Sequence, residues 1–191
     1  MCKMSSITRK EETSLTKMEV ARTAFGEETI RVLRVCGCLL VSGNLGKANV
    51  MTIGWGLIGH LWSKPFFMVA VRPSRHTFGF IEKTGDFTVN VPKKGMEEIA
   101  DYCGSVSGRE HDKFKEKGLT LKPGKKVGSP VISERGVHYE CKVAYKTKVI
   151  PSGLPQDILS DSYPSGNYHT LYFGEMLYTS ADSDVEGSLP I

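Results

Sequence analysis

Residues 72–77 concentrate cationic and hydroxyl side chains where an apolar run gives way to a predicted helix. They include Arg72, Ser74, Arg75 and Thr77. If Ser74 caps a helix over residues 75–83, the first backbone N–H groups of that helix lack intrahelical partners and carry the positive end of its dipole. Such a helix start binds anions, and Arg75 can add a bidentate contact. The alternative is ordinary capping by Ser74 beside solvated arginines, and this segment alone leaves both interpretations open.

A second cluster, residues 43–56, has glycines on both sides of a run that contains β-branched residues. Glycine near the end of a strand allows a flat ligand to approach the backbone closely. Asn49 and Thr52 offer polar groups, and Trp55 offers a broad apolar face. The cluster therefore indicates either a strand that contacts a ligand or an ordinary hairpin with a tryptophan in the core.

Two more segments carry residues that can do chemistry. In residues 107–114, His111 and Lys113 can reach an anionic or electron-rich ligand, although an exposed charged helix is the commoner explanation. His169 precedes an apolar strand, where a lone histidine is usually structural. The five cysteines are odd in number, and Cys36 and Cys38 lack two further ligands at a suitable spacing. The sequence therefore predicts no metal site and no disulfide framework.

The elements that must position these residues are mostly strands. Strand-like runs occupy residues 31–42, 48–55, 65–71, 86–91, 136–150 and 169–180. Short helices are predicted at 75–83, 96–104 and 109–118, with Gly118 as the stop of the last. Short strands, hairpin turns and few helices are typical of an antiparallel barrel. Residues 151–167 form a polar segment too long for an ordinary connection, which indicates a lid, a binding loop or a solvated surface excursion.

Length and composition suit one domain with tails. The chain has 191 residues and a net charge of +4, and its lysines are scattered, which argues against a nucleic-acid partner. We expect a mobile tail over residues 1–18, the domain over 19–180 and a C-terminal tail over 181–191. No apolar stretch approaches 18 residues and no signal peptide is evident, so we expect a cytoplasmic protein without a membrane partner.

In chain order the motifs NVMTIGW, PFFMVAVRPSRHTFGFI, GDFTVNVP, SGREHDKF and HTLYFGE resemble the flavin reductase-like, FMN-binding split-barrel family, and flavoredoxin-type members in particular. The resemblance covers roughly residues 25–178. It implies a mostly β fold with a few helices, namely an antiparallel split β-barrel of Greek-key type. It also implies one FMN per subunit, bound in a groove at the interface of a homodimer.

The resemblance implies site residues as well. The phosphate-binding segment of the family matches Arg72, Ser74, Arg75 and Thr77. Its strand along the flavin ring matches Asn49, Val50, Met51, Thr52 and Trp55, with Met51 where the family often has a small residue or threonine. Lys113 is implied to lie near the flavin and His169 near the ring and the nicotinamide. These two are our candidates to stabilise negative charge on the reduced ring.

The function that follows from the resemblance is an FMN-dependent oxidoreductase. Electrons would pass from NADH, NADPH or a redox protein through bound FMN to a flavin, ferric iron or a redox protein. The absence of an evident acid–base pair agrees with this, because the flavin performs the chemistry. The alternative is a non-catalytic β-barrel module that binds a nucleotide or another phosphate cofactor.

Overall fold

The computed structural model describes residues 17–134, 136–185 and 187–191. Its strands are β1 (Lys17–Glu19), β2 (Cys38–Asn44), β3 (Lys47–Ile53), β4 (Gly56–Leu61), β5 (Lys64–Val71), β6 (Asp86–Val91), β7 (Leu121–Lys122), β8 (Val131–Ile132), β9 (Val137–Lys148) and β10 (Thr170–Asp182). Its α-helices are α1 (Gly26–Val35), α2 (His76–Thr84), α3 (Glu97–Ser105), α4 (Lys113–Glu116) and α5 (Gln156–Ser162). The predicted mostly β architecture with a few helices is confirmed.

Eight strands form one antiparallel sheet that curves around the main core. The order is β3-β2-β6-β9-β10-β5-β4, and β1 pairs with the C-terminal end of β10, residues 180–182. Strands from opposite ends of the sheet contribute to the same core, since Met51 and Ile53 of β3 join Phe67 and Val69 of β5. The sheet therefore curves into a split barrel, with β3 and β4 as its unpaired edges within the described residues. β7 and β8 form a separate two-stranded sheet.

The outer face of β2 and β3 is covered by a second, smaller core. Leu39 and Val41 of β2 and Val50 of β3 pack there with Ala100 and Cys103 of α3. β2 is consequently buried on both faces, as a run without polar alternation indicates. The arrangement fixes α3 and the loop that follows it against the edge strand β3.

The predicted strand over residues 31–42 is partly wrong, because its first half is the end of α1. Val32 and Leu33 are buried while Arg31 and Arg34 are exposed, which is a helical pattern. Gly37 separates helix from strand with a φ of 81°, and a Cβ at this position would lie 2.5 Å from the Thr52 side chain. Val32 and Leu33 form the buried face of α1, so tertiary contacts override the local β propensity of this segment.

The helix predictions need two corrections. α2 begins at His76 and its N-cap residue is Arg75 rather than Ser74, with no side-chain capping hydrogen bond. The helix predicted over residues 109–118 is confined to α4, and Gly118 follows it with a φ of 61°. The helix predicted over 96–104 is confirmed as α3 to within one residue at each end.

The tail predictions also change. Most of the N-terminal tail, residues 1–16, lies outside the described residues, but Lys17 and Met18 pair with β10. β10 itself continues to Asp182, and the side chains of Val185 and Leu189 are buried in the main core. The described residues after 180 are therefore part of the domain. Within the described ranges, no helix is long and apolar enough to cross a membrane.

Candidate functional site

Two adjoining cavities lie where the end of β3, the start of α2 and the residues around His169 meet. The first, here called the cationic cavity, has a volume of about 220 Å³ and is lined by residues that include Ser74, Arg75, Thr77, Arg109 and Lys113. The second, here called the aromatic cavity, has a volume of about 230 Å³ and is lined by residues that include Trp55, Arg72 and His169. Met51 and Arg75 line both, so the two cavities form one continuous site.

Two arginines that line the cationic cavity are fixed in place by hydrogen bonds to main-chain carbonyls. Arg75 donates to the carbonyl of Gly104 at 3.0 Å, which ties the start of α2 to the end of α3. Arg109 donates to the carbonyl of Ser74 at 3.0 Å. Each guanidinium has five N–H donors, so further donors are available to a ligand. The first N–H groups of α2 add positive potential at the same place.

Asn49 and Thr77 form a buried part of the wall of the cationic cavity. The Asn49 side-chain amide donates to the Thr77 hydroxyl at 2.7 Å. Gly108 lies directly against this pair, because a Cβ there would be 1.8 Å from Oδ1 of Asn49. The wall is therefore set by contacts between three segments that are distant in sequence.

Lys113 is the buried cation of the cationic cavity, with 3% of its surface exposed. Its Nζ donates to the carbonyls of Cys103 at 2.9 Å and Val106 at 3.3 Å. Burial lowers the pKa of this ammonium, and the nearby Arg75 lowers it further, against the opposing effect of Cys103. An ammonium has three N–H donors, so one remains beyond these two bonds to meet an anion.

His169 is fixed by two neighbours in the aromatic cavity. Its Nδ1 lies 2.8 Å from the Tyr163 hydroxyl, and its ring centroid lies 4.7 Å from that of Trp55. Burial lowers the pKa of His169 to about 4, and the positive charges of Arg72 and Arg75 add to this. The imidazole is thus neutral near pH 7, and its Nε2 is the nitrogen that remains for a ligand.

Arg72 fastens the long segment 151–169 to the barrel. It donates to the carbonyl of Ser162 at 2.7 Å and to that of Asn167 at 3.3 Å, and it lies over the Tyr163 ring at 5.2 Å. Asn167 in turn donates to the Ser74 hydroxyl at 2.8 Å. The segment contains a 3₁₀ turn at Pro151–Gly153 and α5, and its last residue, His169, lines the aromatic cavity.

Comparisons with known proteins agree with this geometry. The flavin reductase like domain matches residues 21–190. The chain belongs to the flavin reductase-like family. An uncharacterized protein of Pyrococcus abyssi is 34% identical over 154 residues, which cover 80% of this chain and 77% of the relative.

Solved structures share the fold of this flavin reductase-like chain. Flavoredoxin of Desulfovibrio vulgaris has a TM-score of 0.63 and 25% identity, covering 81% of this chain and 75% of its own. An NADH:FAD oxidoreductase of Streptomyces globisporus has a TM-score of 0.58 and 18% identity, covering 80% and 82%. The split-barrel fold predicted from the sequence is thereby confirmed.

The structure of this family member brings most of the predicted site residues to the two cavities. Ser74, Arg75, Thr77 and Lys113 line the cationic cavity, together with Asn49. Met51 lines both cavities, whereas Thr52, Trp55 and His169 line the aromatic cavity. The Thr52 hydroxyl donates to the carbonyl of Ala100, so its side chain also anchors α3.

For three predicted residues the structure gives a position more specific than the sequence could. Arg72, predicted with the phosphate-binding group, lines the aromatic cavity and holds segment 151–169. Val50 directs its side chain into the second core, so only its backbone is open to a ligand role. Lys113, predicted to lie near the flavin, lines the cationic cavity. The edge position of β3 leaves part of its backbone outside the sheet pairing.

Sequence reasoning missed several lining residues in this flavin reductase-like chain. Ser105, Ser107 and Arg109 line the cationic cavity, and Tyr163 supports His169. Ser105, Ser107 and Arg109 combine hydroxyls and a cation in a short segment, as residues 72–77 do. This composition could have indicated a second anion-binding segment. No comparable signal pointed to Tyr163, which lies in a segment without periodicity.

Proposed function

We propose that this protein binds FMN across the two cavities and works as an oxidoreductase of the flavin reductase or flavoredoxin type. The observation that carries the proposal is the continuity of a cationic cavity with an aromatic one through Met51 and Arg75. FMN has the matching form, with a phosphate at one end and a planar ring system at the other. The names of related proteins, which include flavoredoxins and FMN-binding proteins, support the same cofactor.

The residues present fit FMN at its phosphate end. Arg75 and Arg109 both line the cationic cavity, and buried Lys113 has one N–H beyond its two carbonyl bonds. The hydroxyls of Ser74 and Thr77 lie beside them. Fixed donors of this kind suit a phosphate dianion, because charge-assisted hydrogen bonds are roughly twice as strong as neutral ones.

The residues also fit a ring system in the aromatic cavity. Gly54, at the end of β3, leaves the backbone open to close approach by a flat ligand. Trp55 and His169 supply flat faces, and neutral His169 supplies Nε2 without adding a charge. When bound, FMN would supply reversible transfer of one or two electrons. In our proposal, Arg75 adds positive potential to both ends of the site, and His169 contacts the ring edge.

We also propose that the protein is a homodimer. The register of four strands aligns Leu57, Met68, Phe173 and Tyr145 in one row across the outer face of β4, β5, β10 and β9. Leu57 is 64% exposed and Tyr145 is 49% exposed. A second copy of the chain would cover this apolar row. Analytical sedimentation should show a dimer for the wild type and a weakened dimer for Leu57→Lys. A monomeric wild type would contradict the proposal. A cytoplasmic location stays a sequence-based prediction.

The cofactor test is reconstitution of the purified protein. Protein stripped of any bound small molecule should take up one FMN per chain and acquire the visible absorption of a protein-bound flavin. Thermal unfolding should shift upward with FMN, because a ligand that binds only the folded state stabilises it. A protein that takes up no FMN, as judged by equilibrium dialysis, contradicts the proposal.

The electron donor is tested separately. Anaerobic mixing of the FMN-loaded protein with NADH and with NADPH distinguishes a nicotinamide-dependent reductase from a carrier between redox proteins. Bleaching of the flavin absorption by either nucleotide supports the reductase. Failure of both nucleotides, with dithionite showing that the bound flavin can be reduced, would favour a carrier of the flavoredoxin type.

A further inference from the structure

A further cavity, here called the distal cavity, lies at the opposite end of β10 from the proposed flavin site. Its volume is about 530 Å³, and its lining residues are Lys17, Lys93, Lys122, Ser133, Glu134 and Asp182. None of them lines the cationic or the aromatic cavity. β10 has 13 residues, so roughly 40 Å of strand lies between its start beside His169 and its end at Asp182. A ligand of the distal cavity would therefore not touch the flavin.

The two carboxylates that line the distal cavity already have partners. Asp182 is 6% exposed, and its Oδ1 and Oδ2 lie 2.9 Å from Nζ of Lys17 and 2.7 Å from Nζ of Lys93. Both Oε atoms of Glu134 accept the N–H of Thr120, at 3.0 and 3.1 Å. The acidic side chains thus hold two lysines and a neighbouring loop in place.

Hydrogen-bond donors, in contrast, remain in excess around the distal cavity. The Lys122 ammonium and the Ser133 hydroxyl form no hydrogen bond or ion pair within residues 17–134, 136–185 and 187–191. Lys93 directs two of its three N–H donors to Asp182 and Asp184, which leaves one. A cavity with its acceptors occupied and its donors open is suited to a ligand that brings oxygen acceptors.

The charges around the distal cavity favour the same kind of ligand. Burial lowers the pKa of Lys17, and the positive charges of Lys93 and Lys122 lower it further, against the opposing effect of Asp182. The three ammonium groups therefore repel one another across the cavity. An anion placed among them would offset this repulsion.

We propose that the distal cavity binds a small free oxyanion with two or more negative charges, such as a phosphate ester or a polycarboxylate. Lys93, Lys122 and Ser133 would donate hydrogen bonds to it, the two ammonium groups with the added strength of charge assistance. The volume lies within the range of roughly 300–1,000 Å³ that is usual for ligand pockets. Because β1, β7 and the end of β10 all contribute walls, the anion would join segments distant in sequence and stabilise the folded chain.

The experiment is calorimetric titration of the full chain with inorganic phosphate and with citrate, in a phosphate-free buffer at low salt. Each titration is made with and without saturating FMN, because the cationic cavity is also expected to accept phosphate. Lys122→Gln removes a donor that has no partner in the described structure, and Lys83→Gln, exposed near the end of α2, is the matched control. We expect Lys122→Gln to weaken anion binding about fivefold, as for one exposed charge contact, and Ser133→Ala in addition to weaken it about threefold more.

The outcomes separate the distal cavity from the flavin site. Binding of either anion that persists under FMN and in Arg75→Ala, and that weakens in Lys122→Gln but not in Lys83→Gln, supports the proposal. Tighter binding of phosphate than of citrate would then indicate a phosphate ester, and the reverse a polycarboxylate. Binding that Arg75→Ala abolishes and Lys122→Gln leaves unchanged overturns the proposal, since the anion would occupy only the cationic cavity. Absence of binding of both anions at millimolar concentrations overturns it as well.

Discussion

The cationic and aromatic cavities share Met51 and Arg75 but are assembled in different ways. The cationic cavity is made from short segments whose own composition is already unusual, around residues 72–77 and 105–113. The aromatic cavity depends on segment 151–169, which packs against Trp55 and is tied down by Arg72 from 90 residues away in sequence. One cavity is a local concentration of charge, and the other is a product of tertiary packing.

Because of this difference, we expect the cationic cavity to determine the affinity for the cofactor and the aromatic cavity to determine its reactivity. The charged donors of the cationic cavity are fixed by main-chain carbonyls that lie outside segment 151–169. The imidazole of His169 in the aromatic cavity is positioned by Tyr163 of that segment. Changes in the first cavity should therefore reduce cofactor retention, whereas changes in the second should alter how the bound cofactor reacts.

The largest effect should come from the cationic cavity. Replacing Ser74 and Arg75 together with alanine should weaken FMN binding about 100-fold or more, because the change removes two partners of the phosphate and each hydrogen bond to a charged group contributes about 1.5–3 kcal/mol. The barrel should remain folded, as judged by circular dichroism. Arg34→Ala, an exposed arginine on α1, is the control and should bind FMN normally. An FMN affinity within twofold of wild type in the double variant would contradict the assignment of this cavity.

The same contrast explains what could be predicted from the sequence. The strands after residue 48 were predictable because long runs of apolar or alternating residues have few other structures available. The cationic cavity was predictable from residues 72–77, although Arg75 rather than Ser74 occupies the N-cap position. The details of a helix boundary depend on how the chain enters the helix, and composition does not determine this.

The remaining features depend on contacts between distant residues. α1 was read as part of a strand, because only the packing of Val32 and Leu33 against the barrel favours the helix. Arg72 is predicted as an anion ligand, and its contacts with the carbonyls of Ser162 and Asn167 could not be foreseen from local sequence. Tyr163 gave no signal, since its role requires His169 and Trp55 beside it. Long-range pairing of this kind is not encoded in local periodicity.

A smaller effect should follow from Tyr163→Phe, which breaks only the aromatic cavity. The change leaves Nδ1 of His169 without its partner, and an unsatisfied buried group costs about 1–3 kcal/mol, so the imidazole should reorient. We expect FMN affinity within about twofold of wild type but reduction of the bound FMN by NADH or NADPH slowed about tenfold. Tyr168→Phe is the control, since Tyr168 packs on the Tyr163 ring. Equal loss of affinity and rate would show that Tyr163 only supports the fold.

The smallest effect concerns the charge of His169. Its pKa is lowered to about 4 in the folded protein, against about 6.5 for an unperturbed histidine. Between these values the unfolded chain binds a proton that the folded chain does not, so this residue favours unfolding as pH falls from about 6.5 towards 4. Above about 6.5 it contributes no pH dependence. Urea unfolding at pH 7.5 and pH 5 should therefore show a smaller acid-induced loss of stability in His169→Gln than in wild type. An identical loss in both proteins would mean that His169 titrates normally. Its imidazole would then add a positive charge to the aromatic cavity in mild acid.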